Sequence, residues 1–255
     1  MALEQNVKNL KFIARSGAGM ENIDLNYCNQ KNIVCFNSPE GNRDAVAEHA
    51  LGMLLSLFNK IHIADNEIRN GKWNREKNRG IELSGKTIGI IGYGNTGSAF
   101  AERLKGFNVN ILVFDKYKKK YGNSFVKERS MKKIFAEADV LSLHIPLTEE
   151  TKYLVNDAFI KKFKKKLFLI NTSRGPIVKT DDLVKNLKRG KILGACLDVI
   201  EYEEGSFEKM EDGSAFEFLK KSENVILTPH IAGWTVESYR KLSQILADKI
   251  KRHFH

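Results

Sequence analysis

Cysteine is too scarce in this chain to staple a fold. Cys28, Cys35 and Cys196 are an odd number without CxxC spacing or a neighbouring histidine pair, so neither a disulfide framework nor a metal site is expected. Reduced thiols in a cytoplasmic protein are the simpler expectation. Proline is also sparse, 4 in 255 residues, and with 42% apolar residues this argues against extended disorder and for a globular chain. The longest apolar run, Ala50 to Phe58, is interrupted by Ser56 and falls in an amphipathic pattern, so no membrane span is expected. The polar start, Met1 to Asn9, does not resemble a signal peptide.

Acidic residues are outnumbered, 31 against 42 lysines and arginines, which gives a formal net charge of +11. Such a surplus suits nucleic acid or an anionic small molecule. The basic residues are nevertheless spread among Asp and Glu. The densest runs, Lys118 to Lys120 and Lys161 to Lys166, flank strand patterns instead of alternating with aromatics. A lysine-rich solvated surface is therefore expected, and nucleic acid is not an expected partner.

Short apolar runs alternate with segments of helical period, the pattern of an α/β protein with a parallel sheet. Strands are expected at Thr87 to Ile91, Val109 to Phe114, Val140 to His144, Leu167 to Asn171, Gly194 to Asp198 and Val225 to Thr228. Six such strands suffice for a doubly wound, Rossmann-type sheet. Helical faces are formed by Val46, Ala50, Met53, Leu57 and Ile61, by Phe100, Leu104 and Phe107, and by Leu242, Ile245, Leu246 and Ile250. Gly190 stands where a helix over Asp181 to Arg189 needs a residue of positive φ to stop. Two further strand-like runs, Phe12 to Ala14 and Ile33 to Phe36, precede the break Ser38-Pro39-Glu40-Gly41. Two short strands cannot bury a core alone. Residues 1–40 are thus expected to be the remnant of a separate small domain, completed by residues 236–255 or incomplete in this chain, with 41–235 forming the dinucleotide domain.

Gly92-Tyr93-Gly94-Asn95-Thr96-Gly97 follows the first of the six strands and opens the amphipathic segment after it. A GxGxxG string alone says little. With the strand before it, the helix after it and Asp115 closing the next strand, it has the context of a dinucleotide fingerprint. Gly92 permits the tight turn, Gly94 lets the backbone approach a pyrophosphate, and Gly97 allows close helix–sheet packing. The helix N-terminus supplies N–H groups and a dipole suited to the anion. A carboxylate at Asp115 would accept from the ribose 2′-hydroxyl and repel a 2′-phosphate, so NAD is expected over NADP. Lys116 and Lys118 could offset Asp115.

Ligands of open parallel sheets bind beyond the carboxyl ends of the strands. There, Arg174 follows Leu167 to Asn171, Glu203 follows Gly194 to Asp198, and His230 follows Val225 to Thr228. Together a guanidinium, a carboxylate and an imidazole match what 2-keto acid reduction needs. The guanidinium can hold the substrate carboxylate or keto oxygen through paired hydrogen bonds. The imidazole can protonate the oxygen as hydride reaches carbon and reclaim that proton in reverse. A neighbouring carboxylate fixes the tautomer and stabilises the charge the ring takes up. Of the other histidines, His49 lies inside a helical apolar pattern as a packing residue, and His253 and His255 sit at a terminus expected to fray. His144, just before Pro146, either touches the cofactor or is structural.

These residues resemble the D-2-hydroxyacid dehydrogenase family from about Leu10 to the C-terminus. The segments that carry the resemblance are Ala14 to Gly19, Ala45 to Glu48, Gly92 to Gly97, Asn171 to Gly175, Leu197 to Val199 and Thr228 to Gly233. It implies a Rossmann-type NAD domain, an incomplete flavodoxin-like substrate domain, and Arg174, Glu203 and His230 as catalytic residues. It also implies that Asp198 contacts the nicotinamide amide and extends the cofactor-binding set to Val46, Asn95, Thr96, His144, Pro146, Thr172, Ser173 and Gly233. Backbone N–H groups at Ala18 and Gly19 would meet the substrate carboxylate, and Arg15 would suit a phosphorylated substrate.

Within the family the segment from Arg15 to Asp24 looks most like D-3-phosphoglycerate dehydrogenases of serine synthesis, with glyoxylate or hydroxypyruvate reductases close behind. A homodimer through the helix near Val46 to Ile61 is a further implication. The family usually has proline after the catalytic glutamate, where this chain has Glu204, so Glu201 and Glu204 compete with Glu203. Family members also begin with further strand–helix units of the substrate domain, so the lid is expected to be cut down. An NAD-binding interaction module, or a truncated chain that binds NAD without turnover, would share the same cofactor motif.

Overall fold

The computed structural model describes residues 9–203 and 213–254. The chain divides into two compact units, residues 1–45 with 233–255, and residues 46–232. No helix among the described residues is long and apolar enough to cross a membrane.

In the smaller unit, strands β1 (Phe12–Ala14) and β2 (Val34–Phe36) pair in parallel around helix α1 (Leu25–Gln30), which Asp24 caps by accepting from the N–H of Tyr27. The last helix, α9 (Val236–Phe254), buries Leu242 and Leu246, with Ile245 and Ile250 partly covered. At its end the rings of His253 and Phe254 lie against Phe36 and Phe12, with centroids 5.5 Å apart in both pairs. His255 lies outside the described residues.

The larger unit follows the helices α2 (Arg43–Phe58) and α3 (Ile61–Arg69) with strand β3 (Thr87–Ile91), helix α4 (Asn95–Arg103), strands β4 (Asn110–Phe114) and β5 (Val126–Glu128), and helix α5 (Met131–Glu137). Then come β6 (Val140–Leu143), α6 (Asp157–Lys161), β7 (Leu167–Asn171), α7 (Thr180–Lys188), β8 (Ile192–Leu197), α8 (Ser214–Lys221) and β9 (Val225–Leu227). The seven strands form one wholly parallel sheet in the order β5-β4-β3-β6-β7-β8-β9. The order in which successive strands are added reverses between β3 and β6, which makes that junction the switch point where a ligand crevice opens.

Strands buried on both faces explain the near-continuous apolar runs, every residue of β3 being buried. Successive side chains alternate between two cores. Ile88, Ile90, Val140, Ile170 and Cys196 face the layer that includes Leu54, Phe58 and Phe100. Ile91, Leu141, Leu143, Leu169 and Leu197 face the layer that includes Ile134, Phe163 and Leu183. Burial in the sheet pushes the Cys196 thiol well above its ordinary range, so it is an inert packing residue.

The expected strands are all present, and β5 is added at the sheet edge. Ile61 departs from its expected place: Lys60, at φ 53°, ends α2 in a left-handed conformation, and Ile61 starts α3 more than half exposed. Gly190 stops α7 at φ 66°, as its position in the sequence requires.

Candidate active site

Every strand from β3 to β9 except β5 delivers a singled-out polar residue at the same, carboxyl edge of the sheet. At the β3–α4 turn the chain doubles back so tightly that a Cβ on Gly92 would lie 2.2 Å from the carbonyl oxygen of His144, and one on Gly97 2.1 Å from that of Gly92. Gly92 has φ 92°. Nothing lies within 4 Å of the corresponding point at Gly94, the residue before α4, so the backbone there faces open space. Asn95, Thr96 and Gly97 present the first N–H groups of that helix. The turn thus has the bare backbone and helix end that a pyrophosphate needs.

Asp115, past β4, closes on this turn. Its Oδ2 accepts the N–H of Tyr93 at 2.7 Å, and Oδ1 accepts those of Tyr117 and Lys118 at 2.9 and 2.8 Å. Partial burial works against the carboxylate, but the three backbone donors and the Lys118 charge prevail and hold its pKa below the ordinary value. Of the two lysines, Lys118 bears on it, its ammonium also donating to the Tyr93 carbonyl at 2.8 Å, whereas Lys116 is paired with Glu150, which Tyr117 also contacts through its hydroxyl.

His144 is buried. Its Nε2 lies 2.8 Å from the Ser142 hydroxyl and Nδ1 3.2 Å from that of Thr96, with its ring against Phe100. Burial lowers its pKa to about 3, so the imidazole is a neutral strut between β6 and the start of α4. Pro146 is exposed, and Val46 is buried in α2.

Past β7, Asn171 folds the loop, donating to the Arg174 carbonyl and accepting from the Ser173 N–H, while the Ser173 hydroxyl donates to the Leu143 carbonyl at 2.6 Å. Ser173 is therefore a clamp between neighbouring strand ends. Thr172 Oγ1 is buried without a hydrogen-bond partner among the described residues, an orphaned polar atom at the crevice. Arg174 donates to the Ser173 carbonyl at 2.6 Å. The next residue, Gly175, abuts the following loop: a Cβ on it would lie 1.9 Å from the carbonyl oxygen of Ile200.

That same Ile200 donates its N–H to Oε1 of Glu203 at 2.5 Å, and Oε2 of Glu203 lies 2.7 Å from Nδ1 of His230. Both glutamate oxygens are thereby fixed. Glu201 points elsewhere, accepting the Thr180 N–H at 2.8 Å at the start of α7, and Glu204 lies outside the described residues. His230 itself has φ 56°, unusual for a non-glycine residue, and its N–H is held by the Asp198 carbonyl at 2.8 Å.

Asp198 is 1% exposed. Its Oδ1 accepts the Thr228 hydroxyl at 2.5 Å and the Ile231 N–H at 2.9 Å, and Oδ2 accepts the Ala232 N–H at 2.8 Å. The carboxylate therefore grips the His230 turn on both sides. His49 joins this group, with Nε2 3.0 Å from Thr228 Oγ1. Sequence reasoning missed it: a histidine among apolar helical positions looks like a filler until the fold places a hydroxyl and a carboxylate beside it.

These strand-end groups belong to a region, residues 51–232, that matches the family model described as D-isomer specific 2-hydroxyacid dehydrogenase, NAD binding domain. The chain belongs to this family. D-3-Phosphoglycerate dehydrogenase of Archaeoglobus fulgidus is 39% identical over 248 residues, covering 96% of this chain and 46% of that protein. Glyoxylate reductase of Thermofilum pendens is 37% identical, over 94% of this chain and 70% of its own length. Measured against the first of these, this chain spans just under half the relative's length. Among solved structures, D-lactate dehydrogenase of Aquifex aeolicus complexed with NAD and lactic acid superposes with a TM-score of 0.85 at 31% identity, covering 96% of this chain and 76% of that one. The larger unit is accordingly an NAD-binding domain of the D-isomer specific 2-hydroxyacid dehydrogenase family, and the Gly94 gap and the Thr172 hydroxyl fit such a cofactor.

The remaining singled-out residues lie in the smaller unit. Arg15 is paired with Glu21 at 3.1 Å, the Ala18 carbonyl accepts from Asn37 at 2.8 Å, and Gly19 follows in the same loop. A Cβ on Gly233 would lie 2.6 Å from Asn42 Nδ2.

Proposed function

We propose that the chain catalyses NAD-dependent interconversion of a D-2-hydroxy acid and its 2-keto acid, with 3-phosphoglycerate and its keto product as the pair. The observation that carries the reading is the 2.7 Å contact between His230 and a Glu203 whose other oxygen is already pinned by Ile200. NAD, when bound, supplies the hydride acceptor, or in reduced form the donor. In the reductive direction His230 gives a proton from Nε2 to the carbonyl oxygen as that oxygen gains charge, and Nδ1 keeps its hydrogen bond to Glu203. In the oxidative direction Nε2 takes the hydroxyl proton. Glu203 stays a carboxylate throughout, fixing the tautomer and stabilising the imidazolium. Arg174 holds the carboxylate or the keto oxygen of the substrate by its planar donors.

Gly92, Gly94, Asn95, Thr96 and Gly97 would cradle the pyrophosphate and Asp115 the adenosine ribose. Val46, His144, Pro146, Thr172, Ser173, Asp198 and Gly233 complete the assigned cofactor set, His144 through its strut to Thr96. Substrate roles for Arg15, Ala18 and Gly19 rest on resemblance, as does a homodimer, while a cytoplasmic location rests on the scarce cysteines without a pairing pattern.

NADH loss with hydroxypyruvate, its phosphate and glyoxylate tests the reading. Fastest turnover with the phosphorylated acid is expected. Preference for glyoxylate or hydroxypyruvate would move the chain to the reductases, and no oxidation with any keto acid would leave an NAD-binding module.

A further inference from the structure

We propose that His49 is a positioning residue for His230, fastening the turn that carries it to helix α2 through the Thr228 hydroxyl and the buried Asp198 carboxylate. The proposal rests on the acid–base reading of His230.

Donor and acceptor chemistry orders the three groups. A carboxylate only accepts, and a threonine hydroxyl has one proton. The 2.5 Å contact from Thr228 Oγ1 to Asp198 Oδ1 spends that proton, so the same hydroxyl oxygen can only accept from Nε2 of His49, 3.0 Å away. His49 must therefore carry a hydrogen on Nε2, and the relay runs from His49 through Thr228 to Asp198. The ring also stands 3.6 Å from Asp198 Oδ1 itself.

The far end of the relay is the turn that needs support. His230 adopts a left-handed φ of 56°, which costs energy in any residue with a Cβ and persists only where the surroundings over-determine it. Asp198 does this from both sides, through Thr228 before the histidine and Ile231 and Ala232 after it. In a chain of hydrogen bonds that ends on a buried carboxylate each bond strengthens the next, so the partly buried donor on α2 contributes to how firmly the turn is held. A histidine there merely to fill space would be replaceable by an apolar ring.

The test compares His49→Phe, which keeps a ring but no donor, with His49→Gln, whose amide offers a donor at similar reach. It reads NADH turnover, NADH affinity by fluorescence, and the His230 ring signals by nitrogen-resolved NMR. His49→Phe should lower kcat about tenfold, the size expected when a partly buried acceptor loses its donor, with NADH affinity unchanged and the His230 signals shifted or broadened. His49→Gln should recover kcat to within about twofold of wild type, and His49→Phe should add less than about twofold on a Thr228→Val background, since both break one relay. Wild-type kcat and ring signals in His49→Phe would overturn the proposal, as would equal losses in the two His49 variants or multiplying losses in the double variant. If His49→Phe does not fold, Thr228→Ser against Thr228→Val decides: the serine should behave as wild type and the valine should lose kcat, and equal behaviour overturns the relay. Absence of turnover in the wild type would sink the dehydrogenase reading, and the His230 signals would still decide the positioning.

Discussion

Nδ1 of His230 lies 2.7 Å from Oε2 of Glu203, which makes Nδ1 the nitrogen that donates inward and assigns proton exchange with a substrate to Nε2. Glu203→Gln keeps the shape of this contact and removes its charge. We expect kcat to fall about 100-fold, the lower end of what acid–base catalysis contributes, with NADH binding unaltered. Steady-state kinetics beside a fluorescence titration of NADH checks this. An unchanged kcat would relieve Glu203 of its role.

The adenosine end should respond to Asp115 and, more weakly, to Glu150. Asp115→Ala removes the acceptor assigned to the ribose and the tie to the Tyr93 N–H, so NAD affinity should drop about 10- to 100-fold. Discrimination against NADP should relax at the same time. Glu150→Gln leaves Lys116 without its carboxylate partner and should shift the NADPH-to-NADH affinity ratio a few-fold upward, as an exposed pair warrants. Titrating each variant with both reduced cofactors measures this, and an unchanged preference in Asp115→Ala would remove that residue from the site.

A dependence of stability on pH follows from His144. Its pKa is lowered from 6.5 to about 3 by burial, so below pH 6.5 the unfolded chain takes up a proton that the folded one does not. This neutral-state contribution is fully present above 6.5 and is lost as pH falls toward about 3, at up to about 1.4 kcal/mol per pH unit. Urea unfolding between about pH 6 and 4 should show a shallower slope for His144→Gln than for wild type by up to that amount. Identical slopes would mean that the ring titrates normally.

Gly175 should tolerate no side chain. Its would-be Cβ meets the Ile200 carbonyl, whose residue also pins Glu203, so Gly175→Ala must push apart the loops bearing Arg174 and Glu203. We expect a loss of about 1–3 kcal/mol in stability and a drop in kcat at retained NADH affinity. Thermal melts and kinetics of the alanine variant test both parts.

Much of this arrangement was readable from residue patterns because the sheet is buried on both faces. Runs such as Thr87 to Ile91 and Leu167 to Asn171 therefore show their ends directly, and the glycine turn declares itself by the strand before it and the acid after it. Strand β5 escaped notice because Val-Lys-Glu at 126–128 buries only its valine, too little for periodicity to register. The end of α2 was missed for a different reason: Ile61 keeps helical spacing, and a lysine gives no warning of the left-handed turn at position 60. Among the chemical groups, Glu203 could not be separated from Glu201 by position along the chain. The separation is made by the Thr180 N–H, which captures Glu201, and by the Ile200 N–H, which aims Glu203. His49 and Thr228 were silent because their importance lies in a contact 179 residues apart in sequence.

The central claim is that proton transfer to the substrate oxygen passes through the ring of His230. Single-turnover NADH oxidation by the His230→Gln variant, with saturating 2-keto acid, tests it most directly. The account predicts a rate at least about 100-fold below wild type, with NADH bound as tightly as before. A rate near that of wild type, or a loss of NADH affinity as large as the loss of rate, would contradict it.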